Sequence, residues 1–124
     1  MANLAHVQKL LAGVKEMFGA DLCGADLSGA NLKGVKLHSA NLSDANLCGA
    51  NLTRANLTDA NLARANLSLA NLKGANLRLA NLHQANLTKA DLSLALLKGA
   101  DLGDAVLTET KFSGATMRDG SIHP

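Results

Sequence analysis

From Ala20 to Asp119 the chain repeats every five residues, twenty times over, without an insertion or deletion. The register opens ADLCG ADLSG ANLKG VKLHS ANLSD and still holds at AVLTE TKFSG ATMRD. The third position is Leu in eighteen pentads, from Leu22 to Leu107, and then Phe112 and Met117. The first position is Ala in eighteen, with Val35 and Thr110 as departures. Asn or Asp holds the second position in most pentads, Lys36, Leu96, Val106, Lys111 and Thr116 breaking the pattern, and positions four and five vary freely.

A period of five suits neither common element. Leucines five apart on a helix would step about 140° each time and wrap around every side. In a flat strand they would fall on alternate faces. Both conflicts vanish if each pentad is a short extended stretch followed by a corner that returns the next Leu to the same axis. The chain is then a solenoid with one continuous interior. Gly stands at position five in only seven pentads (Gly24, Gly29, Gly34, Gly49, Gly74, Gly99 and Gly114). Since the other corners carry side chains that disfavour positive φ, a mixture of turn types is expected. Asn at position two suits hydrogen bonding near a corner, and stacked copies would form a side-chain ladder.

These residues resemble the A(D/N)LXX pattern of the pentapeptide-repeat family over residues 20–119. The resemblance implies an all-β solenoid, a right-handed quadrilateral β-helix with four pentads per coil. Twenty pentads would then make five coils, with residues twenty apart stacked in columns such as Leu22, Leu42, Leu62, Leu82 and Leu102. Both ends of such a rod need covering. Leu4, Val7, Leu11, Val14 and Phe18 are spaced by three or four, which predicts an amphipathic helix over about 4–18. Asn3 would be its N-cap and Gly19 its C′ residue. The expected organisation is a capping segment over 1–19, repeats over 20–119 and a short tail over 120–124. At the far end, Phe112, Met117 and Ile122 are candidates for an end-to-end homodimer contact.

With 18% charged and 2% aromatic residues and a net charge of +2, composition alone selects no partner. Sorting charges by side is more informative. The two sides that begin at residues 30 and 35 carry Lys33, Lys36, Arg54, Lys73, Arg78, Lys98, Lys111 and Arg118 against Asp59, Asp91 and Asp119. The other two carry Arg64 and Lys89 against Asp21, Asp26, Asp44, Asp101, Asp104 and Glu109. A nucleic-acid-associated role through the basic half is one alternative, though no aromatic platform accompanies it in this sorting. Some members of the resembled family imitate duplex DNA and bind type II topoisomerases. Six carboxylates fall well short of the roughly fourteen charges that duplex presents over about 24 Å.

Leu69, Leu79, Leu94 and Leu96 occupy outward positions and are candidate protein contacts. Cys23 and Cys48 lie on neighbouring sides in successive coils and read as free outward thiols. His6, His38, His83 and His123 have no metal-ligand spacing, and the Ser28, Ser68, Thr88 and Thr108 column has no histidine beside it to act as base. The reading is therefore a non-enzymatic structural or protein-interaction module with no cofactor and no metal. A protein partner is expected, and no membrane partner. There is no 18-residue apolar run and no signal-like start, so a cytoplasmic location is expected.

Overall fold

In the computed structural model, which describes residues 1–124, the five-residue rhythm becomes a stack with a twenty-residue repeat. Each position-two residue pairs in parallel with the residue twenty places on, beginning with Glu16 to Lys36 and Asp21 to Asn41 and ending with Leu96 to Thr116. Twenty residues per level at five residues per side gives four sides. The sides are too short for conventional strands, so each contributes a single bridge before the chain turns.

Leu62 and its neighbours show the bonding rule. The Leu62 N–H donates forward to Asn81 O at 2.7 Å and the Arg64 N–H to His83 O at 2.9 Å, while the Asn81 N–H donates back to Ala60 O at 2.9 Å. Positions three and five thus point their N–H groups one way along the axis, and position two points the other. The carbonyl of each central residue also accepts from the N–H three residues on, as in Ala65 to Leu62 at 3.0 Å, which closes a β-turn over positions four and five.

Every corner from Gly19 to Gly114 has the same conformation. Position five has φ between +55° and +75° at each, whether it is Gly, Ser39, Asp44, Arg54, Leu69, Gln84 or Glu109. The expected mixture of turn types is therefore corrected to one turn with positive φ at its third residue, as in type II. The reason is tertiary. From Gly19 to Gly99 each position-five N–H meets a carbonyl of the next level, so a corner of another shape would break the ladder there, and Asp104 and Glu109 keep the same turn without that bond.

The second-position amides also behave differently from expectation. Their side chains do not ladder between levels. Each Asn or Asp Oδ1 accepts from the backbone N–H two residues on, from Cys23 to Asp21 through Gly103 to Asp101. Ser and Thr at position four add a hydroxyl bond to the same oxygen, as Thr53 Oγ1 does to Asn51 at 2.6 Å. Apart from that of the exposed Ser28, these hydroxyls are part-buried, and all of them cap the turn. Asn51→Ala removes both bonds that hold Thr53 and is expected to cost about 1–2 kcal/mol, measurable by chemical unfolding.

The interior is aliphatic and dry. Every central Leu from Leu22 to Leu97 is at most 1% exposed, and the alanines at position one line the core beside them. At the C-terminal level this protection fails. Leu107 is 41% exposed, while Leu102, Phe112 and Met117 are only partly buried. The internal columns therefore run sealed through Leu97 and open beyond it.

Helix α1 spans Leu4–Leu11, shorter than the expected 4–18. Asn3 is its N-cap, accepting from Ala5 N and His6 N. It ends at Gly13 rather than Gly19: Gly13 has φ +94°, its N–H donates to Leu10 O, and Val14 N–H donates to Lys9 O. That double closure is a Schellman motif, and Gly at its C′ position meets no Cβ penalty. Residues 15–19 then run in pentad register. Glu16 pairs with Lys36, Met17 is buried one place below Leu37, and Gly19 is a corner. The 1–19 segment is thus two pieces, and the repeat geometry begins before residue 20. Leu10 is buried and Val7 and Ala2 pack against the core, next to the fully covered Leu22, Leu27, Leu32 and Leu37.

The tail turns back on the last level. Ile122 pairs antiparallel with Thr116, and Gly114 N–H donates to His123 O at 2.9 Å. Ile122 remains 66% exposed, so it does not fold over the column ends.

Candidate interaction surfaces

With the twenty-residue stacking in place, the sides can be named by their pentads. The first side begins at residues 20, 40, 60, 80 and 100, and the second, third and fourth begin five, ten and fifteen later. The charge sorting survives, and ion pairing sharpens it. Both cations of the acidic half are engaged by carboxylates one level away, Arg64 with Asp44 at 3.0 Å and Lys89 with Glu109 at 3.8 Å. In the basic half only Lys36 is paired, with Glu16 at 3.0 Å. Lys33, Arg54, Lys73, Arg78, Lys98, Lys111 and Arg118 have no carboxylate within 4.0 Å. Two of the six acidic-half carboxylates are thus tied to cations, which further weakens any likeness to duplex DNA.

The candidate leucines do not gather. Leu69, Leu79 and Leu94 are exposed, but each stands on a different edge of the stack. Leu79 lies over Gly99, where a Cβ would sit 2.7 Å from Leu79 Cδ2, and Leu94 covers Gly114 in the same way at 2.8 Å. Leu96 departs from its expected outward role. It is half-buried and bridges Asn76 and Thr116, taking the place of an Asn in the ladder.

Cys23 and Cys48 are free thiols but half-buried, each beside a serine hydroxyl oxygen one level on, Ser43 Oγ at 3.3 Å and Ser68 Oγ at 3.4 Å, whose own proton goes to Asn41 and Asn66. His6 Nδ1 accepts from Asp21 N–H at 2.9 Å, which ties α1 to the first level. His83 stands 4.0 Å from Asp104, and His123 contacts the Phe112 ring at 5.9 Å. No group of three or more His, Cys, Asp or Glu side chains is arranged to hold a metal ion. No helix is long and apolar enough to cross a membrane.

Four aspartates are held below the ordinary carboxylate range. The Ser28 hydroxyl bonded to Asp26, the Arg64 guanidinium bonded to Asp44, the Ser93 hydroxyl at Asp91 and the Ser121 hydroxyl at Asp119 are the main causes. A carboxyl that ionises more readily when folded stabilises above its unfolded pKa of about 3.9 and loses that contribution as pH falls below it. Thermal unfolding followed from pH 7 to pH 3 is expected to show a plateau and then a fall below about pH 4.

Comparison with known proteins agrees with this geometry. The family model described as pentapeptide repeats matches in eight copies over residues 16–54, 51–93 and 85–121. HetL, a pentapeptide repeat protein involved in heterocyst differentiation regulation in Nostoc sp. strain PCC 7120, is 41% identical with a TM-score of 0.72. The match covers 85% of this chain and 56% of HetL, so the chain spans little more than half of that protein. A pentapeptide repeat protein of the Arabidopsis thaliana thylakoid lumen is 35% identical over 90% of this chain and 72% of its own, with a TM-score of 0.66. Another from Nostoc PCC 7120 is 32% identical over 92% and 78%, with a TM-score of 0.53. No curated protein matches. The i to i+20 pairing, the uniform corners and the family match from residue 16 to residue 121 converge: the chain belongs to the pentapeptide repeat family.

Proposed function

We propose that this chain is a right-handed quadrilateral β-helix of five coils, closed at its N-terminal end by α1, that serves without catalysis as a rigid docking surface for a protein partner. A cytoplasmic location is part of the same proposal. The observation that carries it is the division between a sealed interior and a varied exterior. Leu and Ala fill the axis almost without exception, while the chemistry differs from level to level only at the outward positions.

The partner surface is the third side. Lys33, Arg54, Lys73 and Lys111 stand there against Asp91 alone, and Leu94 adds an exposed apolar edge. An acidic protein surface complements this arrangement. Affinity capture with the wild type and with a Lys33→Ser/Arg54→Ser/Lys73→Ser/Leu94→Ser variant tests it. A protein of acidic surface retained by the first and lost by the second is the expected result. Retention of the same proteins by both overturns the assignment to the third side, and capture by neither overturns the docking reading.

A homodimer through the C-terminal end is a second reading, supported by the exposure of Val106, Leu107 and Ile122. The direction of the hydrogen bonds constrains it. Leu102, Asp104, Leu107 and Glu109 present free N–H groups at this end, and Ala100 and Ala105 present free carbonyls. A twofold mate would therefore have to set donors against carbonyls, with Phe112 and Met117 behind them. Sedimentation equilibrium that fits a monomer at high protein concentration overturns it.

A further inference from the structure

Because α1 stops at Leu11, Phe18 does not lie on the helix. It occupies position four of the pentad at residues 15–19 and thereby enters a column of the fourth side: Phe18, His38, Thr58, Arg78, Lys98 and Arg118. Two features of this column are unusual for the molecule. Phe18 is 67% exposed and its ring lies 4.6 Å from that of His38, tilted by 45°. Beyond Thr58, three cations follow one another at successive levels. Elsewhere charges one level apart pair with opposite sign, as in Glu16 with Lys36, Asp44 with Arg64 and Lys89 with Glu109. Like charges at adjacent cross-strand positions destabilise, yet here no carboxylate lies within 4.0 Å of any of the three. The other charges of this side are Lys36 and Glu16, which pair with each other, Lys15, whose Nζ donates to Lys33 O, and Asp59 and Asp119. Asp119, next in sequence to Arg118, is held by the Ser121 hydroxyl and N–H. An open groove of about 370 Å³ runs between Arg78, Leu79, Lys98, Gly99 and Arg118.

We propose that the fourth side is a track for single-stranded nucleic acid, with a base stacked on Phe18 beside His38 and consecutive phosphates held by Arg78, Lys98 and Arg118. The column from Phe18 to Arg118 covers five steps of about 4.8 Å, or roughly 24 Å, a span that suits a short run of extended nucleotides. An aromatic platform joined to a line of cations is the combination that binds single strands without reading their sequence. A condensed phosphate chain would use the cations but has no use for the ring. Duplex is disfavoured because a single file of cations meets only one of its strands.

The test is fluorescence anisotropy with a labelled oligothymidylate at low salt, using the full chain. An Arg78→Ser/Lys98→Ser/Arg118→Ser variant is expected to bind at least about tenfold more weakly, and its salt dependence to shallow by about two units of log–log slope. Phe18→Ala is expected to weaken binding about fivefold or more with the slope unchanged. Lys33→Ser/Arg54→Ser/Lys73→Ser removes the same charge from the neighbouring side and is expected to change binding less than about threefold. Absence of binding by the wild type overturns the proposal. So does equal weakening by the two triple variants, or inorganic polyphosphate competing fully while Phe18→Ala has no effect. The third-side triple variant also separates this proposal from the protein-docking reading, which it disrupts while sparing the track.

Discussion

Leu62→Ala is expected to lower unfolding free energy by about 3–5 kcal/mol. Leu62 is wholly buried, in the middle of its column between Leu42 and Leu82, with Ala at position one of every pentad around it. Those alanines have nothing longer to extend into the space, and the hydrogen-bonded levels above and below cannot move closer. The cavity therefore stays open, which puts the cost in the upper part of the range for such truncations. Leu107→Ala removes the same atoms from the open end, where 41% of the residue is exposed, and is expected to cost about 1 kcal/mol or less. Urea unfolding of both variants checks the pair. Equal destabilisation would mean that the core does not thin out toward Leu107 as the burial pattern requires.

Corner substitutions give the second large effect. Gln84 has φ +60° and its N–H donates to Gly103 O at 2.8 Å. Proline there would force φ to about −65° and remove that donor, so Gln84→Pro is expected to cost about 3 kcal/mol or more. Gln84→Gly changes the balance the other way. A non-glycine residue in the left-handed region costs about 1–2 kcal/mol, and the added entropy of an unfolded glycine returns roughly 0.5–1 kcal/mol of that. The net expectation is a gain of up to about 1 kcal/mol, read as a higher Tm. Since all corners share one conformation, the same gain is expected at Ser39→Gly. It is not expected at Leu79 or Leu94, whose side chains cover the glycines of the next level.

The rim of the stack was far less legible than its axis. Strict periodicity of Leu and Ala announces a closed interior because no other placement keeps every fifth residue on one side. The helix boundary was obscured because Val14, Met17 and Phe18 satisfy two periods at once. They sit three or four residues from other apolar positions, and Met17 also stands five before Leu22. Gly13 resolves the conflict, since a left-handed residue there ends the helix and frees Glu16 to pair with Lys36. The aromatic end of the fourth side was hidden for the same reason. Phe18 belongs to that column only once the helix has stopped short of it.

What the order of residues determined alone is the coiling and the identity of the core, because a period of five returns every Leu to one axis, while the separation of charge between halves also needed the four-sided coil that the family resemblance implies. The shape of the corners came from elsewhere. Ser39, Arg54 and Gln84 have no local preference for positive φ, and they adopt it because the N–H of each must meet a carbonyl nineteen residues away. Pairing of Lys36 with Glu16, the half-burial of Leu96 and the meeting of Phe18 with His38 likewise depend on what the next level places alongside. Tertiary structure decided these because a contact across twenty residues has no signature in the five that surround each partner.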